Sequence, residues 1–382
     1  MVLLKKASNF IASYKLSCVL FLLLLLLTYL GTLYQVENGL YQSQQKYFES
    51  LFLIHWAYGV LPVPLPGGYL LMMITFVNLF WGAVTRFRFQ WSKVGFMLTH
   101  AGILILLAGA FISYVYSSTG RMILYEGQTS HEIENTYEWE IGVSEASPLG
   151  TVAEYIIRQD SFENLSGSRS DRFTFGELPF TLELKSFVPN AIVNLQDIND
   201  TGGDLVALPL DQEYQRNMAG IHVTLIDNKD ETKREEGIVW AGNFRPTALE
   251  MGDKSWNIAL RKQRIQLPFS IRLDKFIQKT HPGTNMPSEF ISEITKTEDG
   301  VSQQFKITMN EPFRHWGYTF YQSSWGQQGS GMNTQVYSVL SAVKNPADQI
   351  PLYACLITTM GLVLHYSRKI HSYIKKEKAR KS

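Results

Sequence analysis

The chain has 382 residues, two cysteines and a net charge of +1, and with a mean hydropathy near zero its averages would suit a soluble two-domain protein. The charges are segregated, however, and that excludes an ordinary soluble fold. Four stretches, residues 16–36, 50–85, 94–120 and 349–367, contain no Asp, Glu, Lys or Arg, and each is long enough to hold a helix crossing about 30 Å of hydrocarbon.

The first predicted element is a helix over about 16–34, preceded by Lys5, Lys6 and Lys15. Its long apolar run, with no small-x-small site after it, reads as an uncleaved anchor. Residues 50–85 are too many for one crossing and are broken by Pro62, Pro64, Pro66, Gly67 and Gly68. An outer aromatic segment over 47–60 is therefore expected before a second helix at about 69–85. The third helix is predicted at about 94–116 and the fourth at 350–367.

Basic loops stay in the cytoplasm, so residues 1–15, the loop with Arg86, Arg88 and Lys93, and a basic tail over 368–382 are expected inside. These carry thirteen basic residues against one acid, Glu377, which leaves a net charge of −11 on everything else. An acidic outer face argues against nucleic acid and favours basic partners.

Residues 118–349 then form the expected extracytoplasmic domain. Period-two runs such as 180–187, 221–226, 256–260, 270–276 and 318–323, divided by Asn, Asp, Gly and Pro, predict strands, and Asp299-Gly300 is a hairpin signal. Leu178–Phe187 and Leu267–Phe276 share LPF[ST][LI]xLxxF at a spacing of 89 residues, consistent either with two lobes from a duplicated unit or with chance likeness between strand starts. The expected fold is a membrane protein of four transmembrane α-helices with a large, mainly-β, antiparallel sandwich-like extracytoplasmic domain.

Cys18 and Cys355 both fall in predicted membrane helices, so the outer domain holds no disulfide framework, zinc site or CxxC couple, and no CxxCH occurs. No nucleophile elbow, HExxH or paired-carboxylate motif is present, and no catalytic residue is assigned. Eight histidines remain. His365 and His371 suit an interfacial role at the end of the fourth helix and in the tail, whereas His131, His222 and His281 have no partner at ligand spacing. His55 and His315, in aromatic surroundings, have weak claims to ligation, and a share in cofactor handling is open for both as for His365.

His100 differs, lying inside a charge-free helix about six residues, or ~9 Å, from its inner end. A titratable group at that depth is costly unless satisfied. An interhelical hydrogen bond within the bundle would do so; so would service as an axial ligand to iron. Gly95, Gly102 and Gly109 form a stripe suited to close helix packing, and His100 lies about 200° from Gly102, facing away from it.

Late in the outer domain comes Met309–Trp325 (MNEPFRHWGYTFYQSSW), then Lys344–Pro351 (KNPADQIP) leading into the last helix, and Gly120–Gln128 (GRMILYEGQ) follows the third. With these motifs the chain resembles the ResB (CcsB) family of system II cytochrome c biogenesis proteins over nearly its whole length. The resemblance implies a bacterial cytoplasmic-membrane protein with a periplasmic domain that delivers reduced haem b and attaches it to apocytochromes c. It would act with a CcsA-type membrane partner, as a partner-dependent subunit of a haem lyase, with thioredoxin-like reductants supplying thiols indirectly. His100 matches the family's third-helix histidine, and the resemblance makes it a candidate axial ligand of haem iron paired with a histidine of the partner. A membrane-anchored β-sandwich scaffold of an envelope complex, with no cofactor, is the rival reading.

Overall fold

The computed structural model describes residues 2–86, 90–146, 153–167, 169–194, 204–243, 245–284, 286–329 and 334–381. They divide into two units, one from residues 1–117 and 345–382, the other from 118–344.

The first unit is helical: α1 (Val2–Ile11), α2 (Tyr14–Asn38), the single turn α3 (Leu40–Ser43), α4 (Gly68–Arg86), α5 (Val94–Tyr116) and α6 (Ile350–Lys381). Among the described residues α2, α4, α5 and α6 are long and apolar enough to cross a membrane. Leu22, Leu25, Phe111 and Leu356 are among many exposed apolar side chains on them, as expected where lipid replaces water as the solvent. Ser13 separates α1 from α2 and caps the latter, its Oγ accepting from Leu16 N at 3.2 Å. The fourth helix continues well past the apolar stretch that ends at residue 367, because Lys, Arg and Glu are strong helix formers and apolarity limits only the part that can span.

The segment around 47–60 is more ordered than an aromatic lead-in. A turn of π-helix, Gln44–Phe48, is followed by a two-stranded ribbon of β1 (Phe52–Ala57) and β2 (Leu61–Pro66). Its three-residue connection, 58–60, places Tyr58 at φ 53° and Gly59 at φ 72°, the left-handed backbone that tight hairpin turns use. Three prolines are tolerated in β2 because a two-stranded ribbon leaves half its amides without ladder partners. Phe52, Ile54 and Trp56 are exposed while Leu53 is buried against α2 and α4 residues.

The second unit is built of strands, with two 3-10 turns at Gln159–Ser161 and Tyr214–Arg216. In chain order it contains β3 (Ser118–Tyr125), β4 (Thr129–Glu145), β5 (Glu154–Arg158), β6 (Ser170–Thr174), β7 (Phe180–Val188), β8 (Ala191–Asn194) and β9 (Asp204–Ala207). There follow β10 (Gly220–Asp227), β11 (Arg234–Trp240), β12 (Thr247–Met251), β13 (Lys254–Thr280), β14 (Pro287–Glu298), β15 (Val301–Thr308), β16 (Phe313–His315), β17 (Tyr318–Gln328) and β18 (Gln335–Lys344). A ten-stranded antiparallel sheet runs β15-β14-β13-β4-β3-β18-β17-β16, with β5 beside β4 and β12 beside β13; β11-β10-β7-β6 form a second sheet and β8-β9 a ribbon.

Two apolar clusters hold the unit together. In one, Phe180, Leu182 and Leu184 of β7 and Ile221, Val223 and Leu225 of β10 face Ile141 and Val143 of β4 and Ile258 and Leu260 of β13, the two-sheet sandwich expected of period-two strands. In the other the large sheet curls on itself: Met122, Leu124, Ile271, Ile294, Ile307, Phe320 and Leu340 meet inside it. The curl brings its two end strands together, with the rings of Phe305 and Phe313 4.7 Å apart. Leu178–Phe187 lies in the first cluster and Leu267–Phe276, in part, in the second. Each fully buried aliphatic or aromatic side chain contributes on the order of 2 kcal/mol.

β13 is 27 residues long and crosses both clusters. It survives Pro268 because its register against β4 shifts between Gln266 and Ile271, a break at which a missing amide hydrogen costs no ladder bond. The register also pairs Tyr318 with Lys344 and Lys344 with Ser118. The GYTFYQSSW strand therefore begins at the end of the sheet where the chain enters from α5 and leaves for α6.

Candidate functional site

The site is built from the glycine stripe of α5, and the helix packed on it is α6. A Cβ on Gly102 would lie 2.8 Å from Ala354 O and 3.0 Å from Thr358 N; one on Gly95 would lie 2.7 Å from Gly361 O and 2.6 Å from His365 N. Gly361 reciprocates, since its own Cβ would lie 2.7 Å from Gly95 O. These are backbone contacts, possible only between glycine or alanine faces.

This seam fixes the direction in which α5 presents His100. Its Nδ1–H donates to Phe96 O at 2.9 Å, so Nε2 carries the imidazole lone pair, the arrangement that holds a ligating histidine in one tautomer and orientation. Its ring lies 4.0 Å from that of Phe96, which in turn lies 6.4 Å from the ring of His365. His100 and His365 are both half-buried, and both line a cavity of about 380 Å³ together with Lys93, Phe96, Ser17 and Asn78. Cavity walls thus come from α2, α4, α5 and α6. Three of the lining residues carry basic nitrogens and none carries a carboxylate.

Asn78 was not singled out in the sequence. It is buried in α4, accepts from Ser17 Oγ at 2.7 Å and donates to Ile11 O at 2.5 Å, pinning the α1–α2 joint to the cavity wall. The signal was a lone amide in an otherwise apolar helix, which must find partners where no water is present. His365, expected at the interface, shares the cavity with His100 because it follows Gly361 by one turn on the seam helix.

The other two histidines with a claim sit elsewhere. His55, on β1, has Nδ1 2.6 Å from the hydroxyl of the fully buried Tyr47, so it braces the ribbon. His315, on β16, has Nε2 2.7 Å from Glu298, which also accepts from Lys296 Nζ at 2.9 Å and Trp316 Nε1 at 2.6 Å. Lys296, Trp316 and His315 together hold the Glu298 carboxyl down to about 2, and this cluster ties β14 to β16 across the curl. Among the described residues no group of three or more His, Cys, Asp or Glu could hold a bare metal ion. The cavity brings two half-buried imidazoles beside one phenylalanine ring.

Residues 238–360, from β11 to the first turns of α6, match the ResB-like family. Over 125 residues the chain is 26% identical to Protein NrfI of Wolinella succinogenes, a match covering 32% of this chain and 13% of that protein. The chain thus spans about an eighth of the length of that relative. His100 lies outside the matched segment, which takes in the GYTFYQSSW strand and the asparagine-proline lead-in to α6. Over residues 238–360, then, the chain is similar to the ResB-like family.

Proposed function

We propose that this chain acts in cytochrome c biogenesis as the haem-handling, partner-dependent half of a cytochrome c synthase. The observation that carries the reading is His100: a half-buried imidazole on a membrane helix, its tautomer set by Phe96 O, opening on a cavity without a carboxylate. Haem b would be the cargo, and His100 would hold its iron through Nε2. A CcsA-type membrane protein would supply a second histidine. Neutral imidazole suits a membrane site because it binds iron without adding a charge to the hydrocarbon.

The chain's own residues do the remaining work. The glycine seam keeps α5 and α6 in contact, so the face bearing His100 keeps its direction. Phe96 packs on the imidazole, and the hydrogen-bonded pair Asn78 and Ser17 lines the same cavity. The basic loop and tail support an orientation with the cavity toward the cytoplasmic leaflet, where haem would enter, and the β unit outside, where apocytochromes c would receive it. The chain brings no thiol couple, since both cysteines are on membrane helices, so thioredoxin-like proteins keep the apocytochrome thiols reduced.

Co-purification from cells making both proteins tests this. The expected complex shows the Soret and α/β bands of six-coordinate, bis-histidine haem; a complex of the two proteins with no haem band would favour the anchored scaffold.

A further inference from the structure

The cavity at His100 contains two basic groups that axial ligation does not use. Lys93 lies at the start of α5, seven residues before His100, with Phe96 between them. Spacings of three and seven put all three on one face of the helix, with Lys93 and His100 roughly 10 Å apart along the axis. Lys93 is exposed where His100 is half-buried, so the face runs from a cation at the mouth, over an aromatic ring, to an imidazole at depth. His365 approaches from α6, beside Phe96. With no acid among the lining residues, neither base is neutralised from within the cavity, and the N-terminal end of α5 adds its own positive potential there.

We propose that the cavity seats an amphipathic, planar dicarboxylate of the tetrapyrrole class edge-on, with Lys93 and His365 binding its carboxylates at the mouth and its ring lying along Phe96 toward His100. This deepens the reading of the cavity as a haem station and rests on it. A helical rise of roughly 10 Å between the two positions is of the order of the reach from the centre of a porphyrin to its carboxylates. Lys93 and His365 are positioning groups: they fix which edge enters last and so present the ring centre to the imidazole.

The test uses the full-length chain in a neutral detergent and two metal-free, fluorescent probes, protoporphyrin IX and its dimethyl ester. With no iron present, His100 can ligate neither, so only carboxylate recognition is measured. Wild type is expected to bind the free acid about tenfold more tightly than the diester, the scale of one charge-assisted hydrogen bond. Lys93→Gln should abolish most of that preference without changing diester binding, Lys93→Arg should retain it, and His365→Gln should reduce it several-fold. Equal binding of acid and diester by wild type, no binding of either, or an undiminished preference in Lys93→Gln would overturn the proposal. Its failure leaves iron ligation by His100 untouched, since that is read from haem bands and not from metal-free probes.

Discussion

Gly102→Leu is expected to unfold the pairing of α5 with α6, lowering the stability of the helical unit by roughly 3 kcal/mol or more. Any Cβ at this position would press on Ala354 O and Thr358 N. Backbone cannot give way as a flexible side-chain end can, so the helices must separate. Because His100 takes its direction from that seam, and His365 its place in the cavity, the variant should also lose the site. An SDS titration of the full-length chain followed by circular dichroism would show an earlier transition. Gly82→Ala is the control, since its Cβ would meet only Ala12 O, at 4.0 Å. Equal transitions for Gly102→Leu and Gly82→Ala would contradict the account.

Arg261→Leu is expected to cost about 3–5 kcal/mol in the β unit, the usual consequence of leaving one member of a buried ion pair behind. Arg261 Nε is 2.9 Å from Glu140, whose side chain is only 4% exposed, and Nη1 is 2.6 Å from Glu154. Burial opposes the charge on Arg261, but Glu154 and Glu140 outweigh it and hold its pKa up. Burial likewise pushes Glu154 up, and Arg261 with Arg264 overcomes that to bring it down. Arg264 also reaches Glu140, but at 3.6 Å, too far to replace the lost bond. Gly142 leaves space for the cluster, since a Cβ there would lie 2.7 Å from Glu154 Oε1. Urea unfolding of the full-length chain measures the cost, and Glu140→Leu added to Arg261→Leu should recover much of it. A single variant as stable as wild type would refute the buried-pair reading.

Much of this organisation was legible because the bilayer imposes simple arithmetic. Four charge-free stretches mark the four long apolar helices, and alternation marks β7, β10 and β17 as strands. The glycine stripe was legible as a packing face, but its partner was not identified, although Ala354, Thr358 and Gly361 form the complementary stripe on α6. Reading that second stripe would have drawn His365 into the site. Prolines hid β2, because the rule against them holds for strands with neighbours on both sides and not for a ribbon. The 27-residue β13 read as two separate strands, 256–260 and 270–276, since Pro268 and the basic run Arg261–Arg264 interrupt its apolar pattern. A strand that changes from one core to another keeps its ladder while its buried face moves. Asn78 carries no charge and so interrupts no apolar stretch, and only its hydrogen-bonding capacity marks it.

The central claim is that the half-buried imidazole of α5 grips iron. The most direct measurement compares the haem bands of the partner complex formed by wild type with those of a His100→Gly complex purified at equal protein yield. The account predicts loss of most of the haem, or a shift to five-coordinate bands, in the variant, with six-coordinate bands restored by added imidazole. Full haem content with an unchanged spectrum in the His100→Gly complex would contradict it.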